Sequence, residues 1–302
     1  LRRSLYRMGV LAATRLPVPV IVIGNITVGG TGKTPLVIWA AELLGRRGYH
    51  PGIVSRGYLG QAKQWPQQVR PDSDPVMVGD EPVMLARRTD CPVVAAGPER
   101  AAAAAALVQH SGCDLVLSDD GLQHYALARD VEIAVIDGAR RFGNGRCLPA
   151  GPLREPVARL KSVDFVVVNG ESSVAGIPMH LEAGAPTSLS DSGRQVTFAT
   201  FRDIPVHAVC AIGNPTRFFR LLESKGLKII PHRYPDHHAF QSGDVDFDDD
   251  YPLLMTEKDA VKCRRFASDK MWYVPVNAVL PSNFAAEFLE TLERFIKDRR
   301  RS

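Results

Sequence analysis

The segment between Val20 and Trp39 constrains the fold more than any other part of this sequence. It reads V-I-V-I-G-N-I-T-V-G-G-T-G-K-T-P-L-V-I-W. Four β-branched residues lead into Gly24, a linker with three glycines follows, and Lys33 then begins an apolar-periodic stretch. Strand, glycine loop and helix in this order are the context in which phosphate-binding loops occur.

The chemistry of this loop suits a phosphate group. Glycine allows successive backbone N–H groups to turn toward one anion, and a helix N-terminus adds unpaired N–H groups and partial positive charge. Lys33 can then reach the β- and γ-phosphates, and the Thr34 hydroxyl can bind Mg²⁺. We therefore predict a nucleoside triphosphate site, with ATP and Mg²⁺, at Thr27, Val28, Gly29, Gly30, Thr31, Gly32, Lys33 and Thr34.

One position departs from the usual pattern. The motif G-x-x-x-x-G-K-[ST] has its first glycine where this chain has Thr27. The structural alternative is a glycine-rich turn that only packs a helix closely, but G-K-T after an apolar strand is a demanding combination.

Length and composition are those of an ordinary globular protein. The 302 residues suffice for one large or two medium domains. A net charge of +4 gives no support for nucleic-acid binding. The five cysteines are scattered without any C-x-x-C, which argues for reduced thiols and against a zinc site. No apolar run reaches the ~18 residues that a membrane span requires.

Apolar segments alternate with helical ones up to about residue 170, which predicts an α/β fold with a mostly parallel sheet covered on both faces. We expect a P-loop NTPase-like core over residues 17–170. Residues 171–205 are polar and predict a connecting antiparallel segment, and residues 206–302 predict a second, smaller α/β lobe. Ligands should gather at the carboxyl ends of the parallel strands.

Residues 1–16 contain four arginines and no acidic residue. If they are helical, Leu1, Leu5, Met8 and Ala12 share one face. A basic amphipathic helix can lie on an anionic membrane surface. The alternative is an ordinary surface helix that caps the domain.

Two pairs of acidic residues follow apolar segments. Asp119 and Asp120 come directly after an apolar strand, downstream of the phosphate loop, as does the carboxylate that holds Mg²⁺ in P-loop enzymes. An Asp-Gly turn is the alternative for this pair. Asp80 and Glu81 begin a helix, so helix capping competes with a functional role for them.

Several short motifs, taken in order, resemble those of the tetraacyldisaccharide 4'-kinase family, the lipid A 4'-kinases. The matching stretches are T-V-G-G-T-G-K-T-P at 27–35, S-R-G-Y at 55–58, G-D-E-P at 79–82, D-D-G-L-Q-H at 119–124, L-P-A-G-P-L-R-E-P at 148–156, D-H at 236–237 and T-E-K-D-A-V-K at 256–262. They extend over nearly the whole chain. Family members similarly lack a first glycine at the position of Thr27.

The resemblance implies a peripheral enzyme at the cytoplasmic face of the inner membrane of a Gram-negative bacterium. Such an enzyme transfers the γ-phosphate of ATP to the 4'-hydroxyl of a tetraacylated glucosamine disaccharide 1-phosphate in lipid A biosynthesis. Its partners would be the lipid substrate and the anionic membrane surface, with no nucleic acid and no obligate protein partner.

The resemblance also implies roles for individual residues. Lys33 and the loop amides hold the phosphates, while Thr34 and one of Asp119 and Asp120 hold Mg²⁺. Asp80 accepts the proton of the hydroxyl group, supported by His237. The residues assigned to phosphate or substrate are Arg56, Tyr58, Glu81, His124, Arg154 and Glu155.

Two other classes share a similar phosphate loop. ATPase switches of the partitioning or metallochaperone kind read K-G-G-x-G-K-T, and this chain has Val28 at the first lysine position. ATP-dependent ligases that resemble dethiobiotin synthetase are the second alternative. Neither class accounts for the ordered motifs that follow the loop.

Overall fold

The computed structural model describes residues 2–301, apart from the side chains of Arg2, Arg7, Arg300 and Arg301. The α-helices are α1 Arg2–Arg7, α2 Lys33–Arg46, α3 Pro75–Val78, α4 Asp80–Arg88, α5 Arg100–Ser111, α6 Pro215–Ser224, α7 Glu257–Cys263 and α8 Ser282–Arg301. The strands are β1 Val20–Gly24, β2 Pro51–Ser55, β3 Gln67–Val69, β4 Val93–Ala95, β5 Leu115–Asp119, β6 Val131–Asp137, β7 Phe165–Asn169, β8 Ile177–Ala183, β9 Thr187–Ser188, β10 Pro205–Cys210, β11 Lys228–Arg233, β12 Leu253–Thr256, β13 Met271–Val274 and β14 Val276–Val279.

The chain divides into two compact units. The first comprises Leu1–Ser73, Met77–Leu181 and Ala278–Ser302, and the second comprises Asp74–Val76 and Glu182–Asn277. Within residues 2–301, no helix is long and apolar enough to cross a membrane.

The first unit is built on the predicted parallel sheet. Its strand order is β14-β8-β7-β6-β1-β5-β2-β4-β3, and all neighbours from β8 to β4 are parallel. Every residue of β1, β2 and β5 is buried, as expected for strands covered on both faces. Since the strands are parallel, the segments that follow β1, β5, β2, β6 and β7 leave the same edge of the sheet.

The second unit has a five-stranded sheet in the order β11-β10-β12-β13-β9. Its first four strands are parallel and β9 is antiparallel to β13. Phe218, Phe219 and Leu222 of α6 pack in its core with Leu254 and Trp272. The predicted smaller α/β lobe is therefore present, although its boundaries differ.

Two predicted boundaries were wrong. The closing helix α8, assigned from sequence to the second lobe, belongs to the first unit because Phe284 stacks on Trp39 at 5.4 Å and meets Phe165 edge-on at 5.3 Å. Residues 171–205 do not form one antiparallel connection, since β8 extends the first sheet parallel to β7 whereas β9 joins the second sheet.

The predicted helix over residues 1–16 is also shorter than expected. Helix α1 ends at Arg7, and Gly9 follows with a φ of 72°, a left-handed conformation that interrupts the helix. Further along, Thr14 forms a bridge with Leu127. Met8 is 67% exposed, while Leu1, expected on the same apolar face, lies outside the described residues.

Candidate functional site

The phosphate loop connects β1 to α2, which confirms the predicted order of strand, loop and helix. Gly29 and Gly32 adopt φ values of 87° and 92°, which glycine reaches without steric cost. Gly32 is the N-cap of α2 and Lys33 its first residue. Thr27 is buried and pairs with Leu153 in an antiparallel bridge. Because the backbone of Thr27 is paired in this bridge, glycine is not required at this position.

The loop that ends at residue 156 runs beside the phosphate loop and brings Arg154 to it. Its backbone accepts a hydrogen bond from Val28 at Pro152, and the N–H of Arg154 donates to Ile26 at 2.7 Å. The guanidinium of Arg154 donates from Nη1 to both carboxylate oxygens of Asp120 at 2.9 Å. Lys33 Nζ lies 3.5 Å from Asp120 Oδ1.

Asp120 is thus held between two cations. Burial alone raises the pKa of its carboxyl, but the charges of Lys33 and Arg154 and the hydrogen bond from Arg154 outweigh burial and hold the pKa well below its usual range. Asp120 is ionised at neutral pH and orients Lys33 and Arg154.

Asp119 is in a different situation. It is 1% exposed, and neither carboxylate oxygen has a hydrogen-bond partner among the described residues. Burial and the negative charge of Glu81 raise the pKa of Asp119 to about 7, against the attraction of Lys33. A buried carboxylate without a partner is costly, so this side chain is suited to a cation that arrives with a ligand.

The donor set around Asp119 is compatible with Mg²⁺. Mg²⁺ in phosphate-transfer sites keeps several waters and takes only one or two protein oxygens together with substrate phosphates. Asp119 and the hydroxyl of Thr34, the second residue of α2, supply such a set. No cluster of three or more His, Cys, Asp and Glu side chains suited to a metal occurs within residues 2–301.

Asp80 and Glu81 form the first turn of α4. Gly79 is the N-cap, so Asp80 is not the capping residue that the sequence suggested. Asp80 is 5% exposed, and its Oδ1 accepts the N–H of Glu81 at 2.8 Å. The negative charge of Glu81 contributes to the raised pKa of Asp119, so Glu81 lies near the carboxyl end of β5.

The remaining first-unit candidates differ in their surroundings. Arg56 and Tyr58 follow β2 and are exposed, with the guanidinium 5.2 Å from the ring centre. His124 lies in the turn after β5 and its N–H donates to Gly121 at 2.9 Å.

Glu155 is occupied by partners of the protein itself. Its Oε1 accepts from Gln123 Nε2 at 2.7 Å, its Oε2 accepts from the Tyr125 hydroxyl at 2.5 Å, and Arg159 Nε lies 3.3 Å away. These bonds anchor the loop that carries Arg154. A contact between Glu155 and the substrate, expected from sequence, stays a prediction.

His237 belongs to the second unit. It adopts a φ of 61°, and its Nε2 lies 3.3 Å from Lys258 Nζ and 3.8 Å from Asp236 Oδ1. Lys258 is in the first turn of α7, whose N-cap is Thr256. The side chains of the D-H and T-E-K-D motifs therefore meet within this unit.

Three residues around the phosphate loop were not identified from sequence. Asn25, Arg140 and Asn169 each donate a hydrogen bond to a carbonyl of the loop. Each lies at or shortly after the carboxyl end of an apolar strand, β1, β6 or β7. Asp119 was identified by its position at the end of such a strand, and the same criterion would have selected these three residues.

Comparison with known proteins gives consistent matches along the chain. A family model described as tetraacyldisaccharide-1-P 4'-kinase matches residues 1–293. The tetraacyldisaccharide 4'-kinase of Nitrosococcus oceani is 54% identical over 297 residues, which are 98% of this chain and 87% of that protein. The enzyme of the same name from Alkalilimnicola ehrlichii is 52% identical over 284 residues, covering 92% of this chain and 83% of that protein.

A solved structure is also similar. LpxK from Aquifex aeolicus, determined in complex with ATP, has a TM-score of 0.79 and 26% identity, and the match covers 97% of this chain and 93% of that one.

Proposed function

This chain belongs to the tetraacyldisaccharide-1-P 4'-kinase family, and we propose that it transfers the γ-phosphate of ATP to the 4'-hydroxyl of a tetraacylated glucosamine disaccharide 1-phosphate. The observation that carries the proposal is the arrangement at the ends of β1 and β5. There a glycine loop with Lys33 lies beside one carboxylate paired with cations, Asp120, and one buried carboxylate without a partner, Asp119.

The phosphates are bound by the loop amides, Lys33 and the N-terminus of α2. Asp119 and Thr34 would hold Mg²⁺, which when bound would supply positive charge to the phosphates of ATP. Asp120 is better suited to orienting Lys33 and Arg154, since both of its oxygens already accept from Arg154. The choice that the sequence left open between the two aspartates thus falls on Asp119 as metal ligand.

Asp80 accepts the proton of the acceptor hydroxyl, and His237 supports it. For this pair the proposal rests on the family motifs G-D-E-P and D-H. Asp80 is buried at the start of α4, which agrees with a carboxylate whose orientation is fixed by the surrounding protein. Loose phosphoryl-transfer transition states depend more on positioning than on proton removal, so this pair contributes less than the phosphate site.

The lipid substrate suggests where the enzyme works. We place it at the cytoplasmic face of the inner membrane, with residues 1–16 on the anionic surface. Exposed Met8, Val10 and Leu11 and the arginines of this segment support that placement. Arg56 and Tyr58 are exposed at the end of β2, and we propose that they contact the disaccharide or its phosphate.

The decisive experiment follows ADP release with ATP and Mg²⁺, with and without a tetraacylated disaccharide 1-phosphate. We expect release to depend on the lipid and to fall at least ~10²-fold in Lys33→Ala, the scale of one lost preorganised electrostatic contact. Equal release without lipid would favour an ATPase switch. A match over residues 1–293 makes that alternative and the ligase alternative less favoured.

The proposed Asp80–His237 pair is tested with single and double variants. Losing a general base costs about 10²–10⁴-fold, and residues that act as one unit lose little more when both are removed. Asp80→Asn, His237→Asn and the double variant should therefore have similar turnover. Multiplicative losses would assign the two residues independent roles.

The membrane placement is tested with phosphatidylglycerol vesicles. The full chain should bind them less tightly as salt rises, because surface attraction is screened within about a Debye length. Equal binding by a chain that starts at Pro17 would exclude the segment 1–16 as the contact.

A further inference from the structure

We propose that Asn25, Arg140 and Asn169 form a carbonyl clamp, which positions the phosphate loop for ATP by holding three consecutive backbone carbonyls. The proposal rests on the ATP site at this loop and is independent of which acceptor receives the phosphate.

The three contacts are made to successive residues of the loop. Asn25 Nδ2 donates to the carbonyl of Gly29 at 3.3 Å, and Asn169 Nδ2 donates to that of Thr31 at 3.0 Å. Between them, Arg140 donates from Nη2 to the carbonyl of Gly30. The donors come from the ends of three different strands, β1, β6 and β7.

Because the peptide bond is planar, these contacts also fix the direction of the neighbouring N–H groups. In a trans peptide the carbonyl of one residue and the N–H of the next point in opposite directions. Each of the three bonds fixes one peptide plane, so the N–H groups of Gly30, Thr31 and Gly32 each point away from the donor that holds the preceding carbonyl. In the part of the chain that the structure describes, no turn or loop hydrogen bond to a backbone carbonyl uses these three N–H groups.

The glycines of the loop leave room for the clamp. A Cβ atom on Gly29 would lie 2.6 Å from Arg140 Nη1, and one on Gly32 would lie 2.5 Å from Asn169 Nδ2. Both distances are too short for a side chain to be added without displacing a clamp residue. Glycine is thus required at Gly29 and Gly32 for two reasons. Both residues adopt a positive φ, and both leave room for the clamp donors to approach the loop.

The clamp residues are themselves fixed. Asn25 and Asn169 are 0% and 2% exposed, so their amides have little freedom to turn. Arg140 Nε lies 3.3 Å from Asp137 Oδ2, and Asp137 Oδ1 accepts the N–H of Arg140 at 2.9 Å. Asp137 is buried at the end of β6 and holds the guanidinium fork in place.

These contacts prepare the loop before ATP arrives. Donors that already point at the anion need no reorganisation on binding or in the transition state. Without the clamp, a carbonyl oxygen could turn toward the phosphate and repel it. Asn25, Arg140 and Asn169 are therefore positioning residues that act through the loop amides.

The test is calorimetric titration of the full chain with ATP and Mg²⁺. Leaving a loop carbonyl without its donor is expected to weaken ATP binding about 10-fold to 100-fold in Asn169→Leu and about 10-fold in Arg140→Met. Gln67→Leu is the matched control, because the Gln67 amide also donates to a backbone carbonyl, that of Gln64 at 2.7 Å, but on the edge strand β3. It should bind ATP as the wild type does.

Two further measurements separate positioning from charge and from folding. Arg140→Lys keeps the charge but cannot hold both Asp137 and the Gly30 carbonyl, so it should remain weakened. The KM for the lipid should be unchanged where the KM for ATP rises. The double variant Arg140→Met/Asn169→Leu should lose less than the product of the single losses, because both act on one loop.

The proposal is overturned if Arg140→Met and Asn169→Leu bind ATP within twofold of wild type, or if they lower only the melting temperature. Full recovery of ATP binding in Arg140→Lys would show that Arg140 contributes only its charge. This outcome would also contradict the clamp. Since the readout is ATP binding, weakened binding in a protein that fails to phosphorylate the lipid would support the clamp while rejecting the proposed acceptor.

Discussion

The carboxyl ends of β5 and β12 carry buried aspartates with opposite surroundings. At β5 in the first unit, Asp119 has no hydrogen-bond partner among the described residues. Just past β12 in the second unit, Asp259 is 0% exposed, and its Oδ2 accepts from the Thr256 hydroxyl at 2.6 Å and the Ala211 N–H at 3.0 Å. Lys262 Nζ lies 2.8 Å from its Oδ1.

The difference indicates that Asp259 stabilises the fold, whereas Asp119 is suited to binding a cation. Asp119 is the last residue of the apolar strand β5, and Asp259 lies three residues after the apolar strand β12, so both are near the carboxyl end of a parallel strand. Asp259 lies in the first turn of α7, and Lys262 of the same helix neutralises its charge. Within residues 2–301 the buried carboxylate oxygens of Asp119 have no hydrogen-bond partner, which is unfavourable unless a cation is bound.

The largest expected effect is on stability at the second unit. Asp259→Asn leaves the charge of Lys262 buried without its partner, and breaking such a pair costs about 3–5 kcal/mol. Urea unfolding without nucleotide should report this loss. Asp119→Asn is the matched control at the other strand, and it should be as stable as the wild type or more stable at pH 8. Equal destabilisation by both substitutions would remove the distinction between the two acids.

The next effect is on activity at the first unit. Asp119→Asn should lower turnover about 10²–10³-fold, as expected for losing a preorganised electrostatic group, and should raise the Mg²⁺ concentration needed for half-maximal activity. Asp120→Asn should also lower turnover, because Lys33 and Arg154 lose their partner, but with an unchanged Mg²⁺ requirement. If Asp120→Asn raised the Mg²⁺ requirement and Asp119→Asn did not, Asp120 would be the metal ligand instead.

A more gradual effect, spread over several pH units, is expected on the pH dependence of stability. The pKa of Asp119 is raised to about 7 in the folded protein, against about 3.9 in an unfolded chain. The contribution of this group is therefore fully present below about pH 4 and is lost as pH rises through about 7, by about 1.4 kcal/mol per pH unit between them.

Urea unfolding of the nucleotide-free protein at several pH values measures this slope. Asp119→Asn should lack that part of the dependence, whereas Asp259→Asn should retain it. The same slope in wild type and Asp119→Asn would mean that Asp119 is ionised throughout and has a partner in the free protein.

The smallest effect concerns the cap beside Asp259. The Thr256 hydroxyl accepts the N–H of Asp259 at 3.2 Å and donates to its carboxylate. Thr256→Ala should cost about 0.5–2 kcal/mol, the range for helix N-caps, and Thr256→Ser should restore most of it. Melting temperatures of the two variants provide the measurement, and no difference between Ala and Ser would show that the hydroxyl contributes nothing.

Much of the first unit was predictable because its signals are local. The strand before Gly24, the glycine loop and the helix that starts at Lys33 are encoded in consecutive residues. Apolar runs without alternation indicated a parallel sheet, and parallel strands bring their carboxyl ends to one edge. The N-cap at Thr256 likewise depends on a short local motif, T-E-K-D at 256–259.

The domain boundaries were not predictable in the same way. Helix α8 is the last segment of the chain, yet its Phe284 packs on Trp39 in the first unit. An amphipathic pattern indicates that a helix buries one face, but it does not indicate which sheet receives that face. The short segment after Arg7 shows the converse, since Gly9 ends a helix that the apolar spacing would have continued.

By itself the sequence determined the presence of a phosphate loop, the parallel sheet and the family of this protein, because backbone preferences and apolar periodicity act over neighbouring residues. Only the tertiary structure decided that Asp120 is the paired aspartate and Asp119 the unpaired one. It alone also placed Asn169 against the carbonyl of Thr31 and Arg154 against Asp120. The physical reason is that a buried polar group is satisfied by donors from distant parts of the chain, and the fold alone brings those donors within hydrogen-bonding distance.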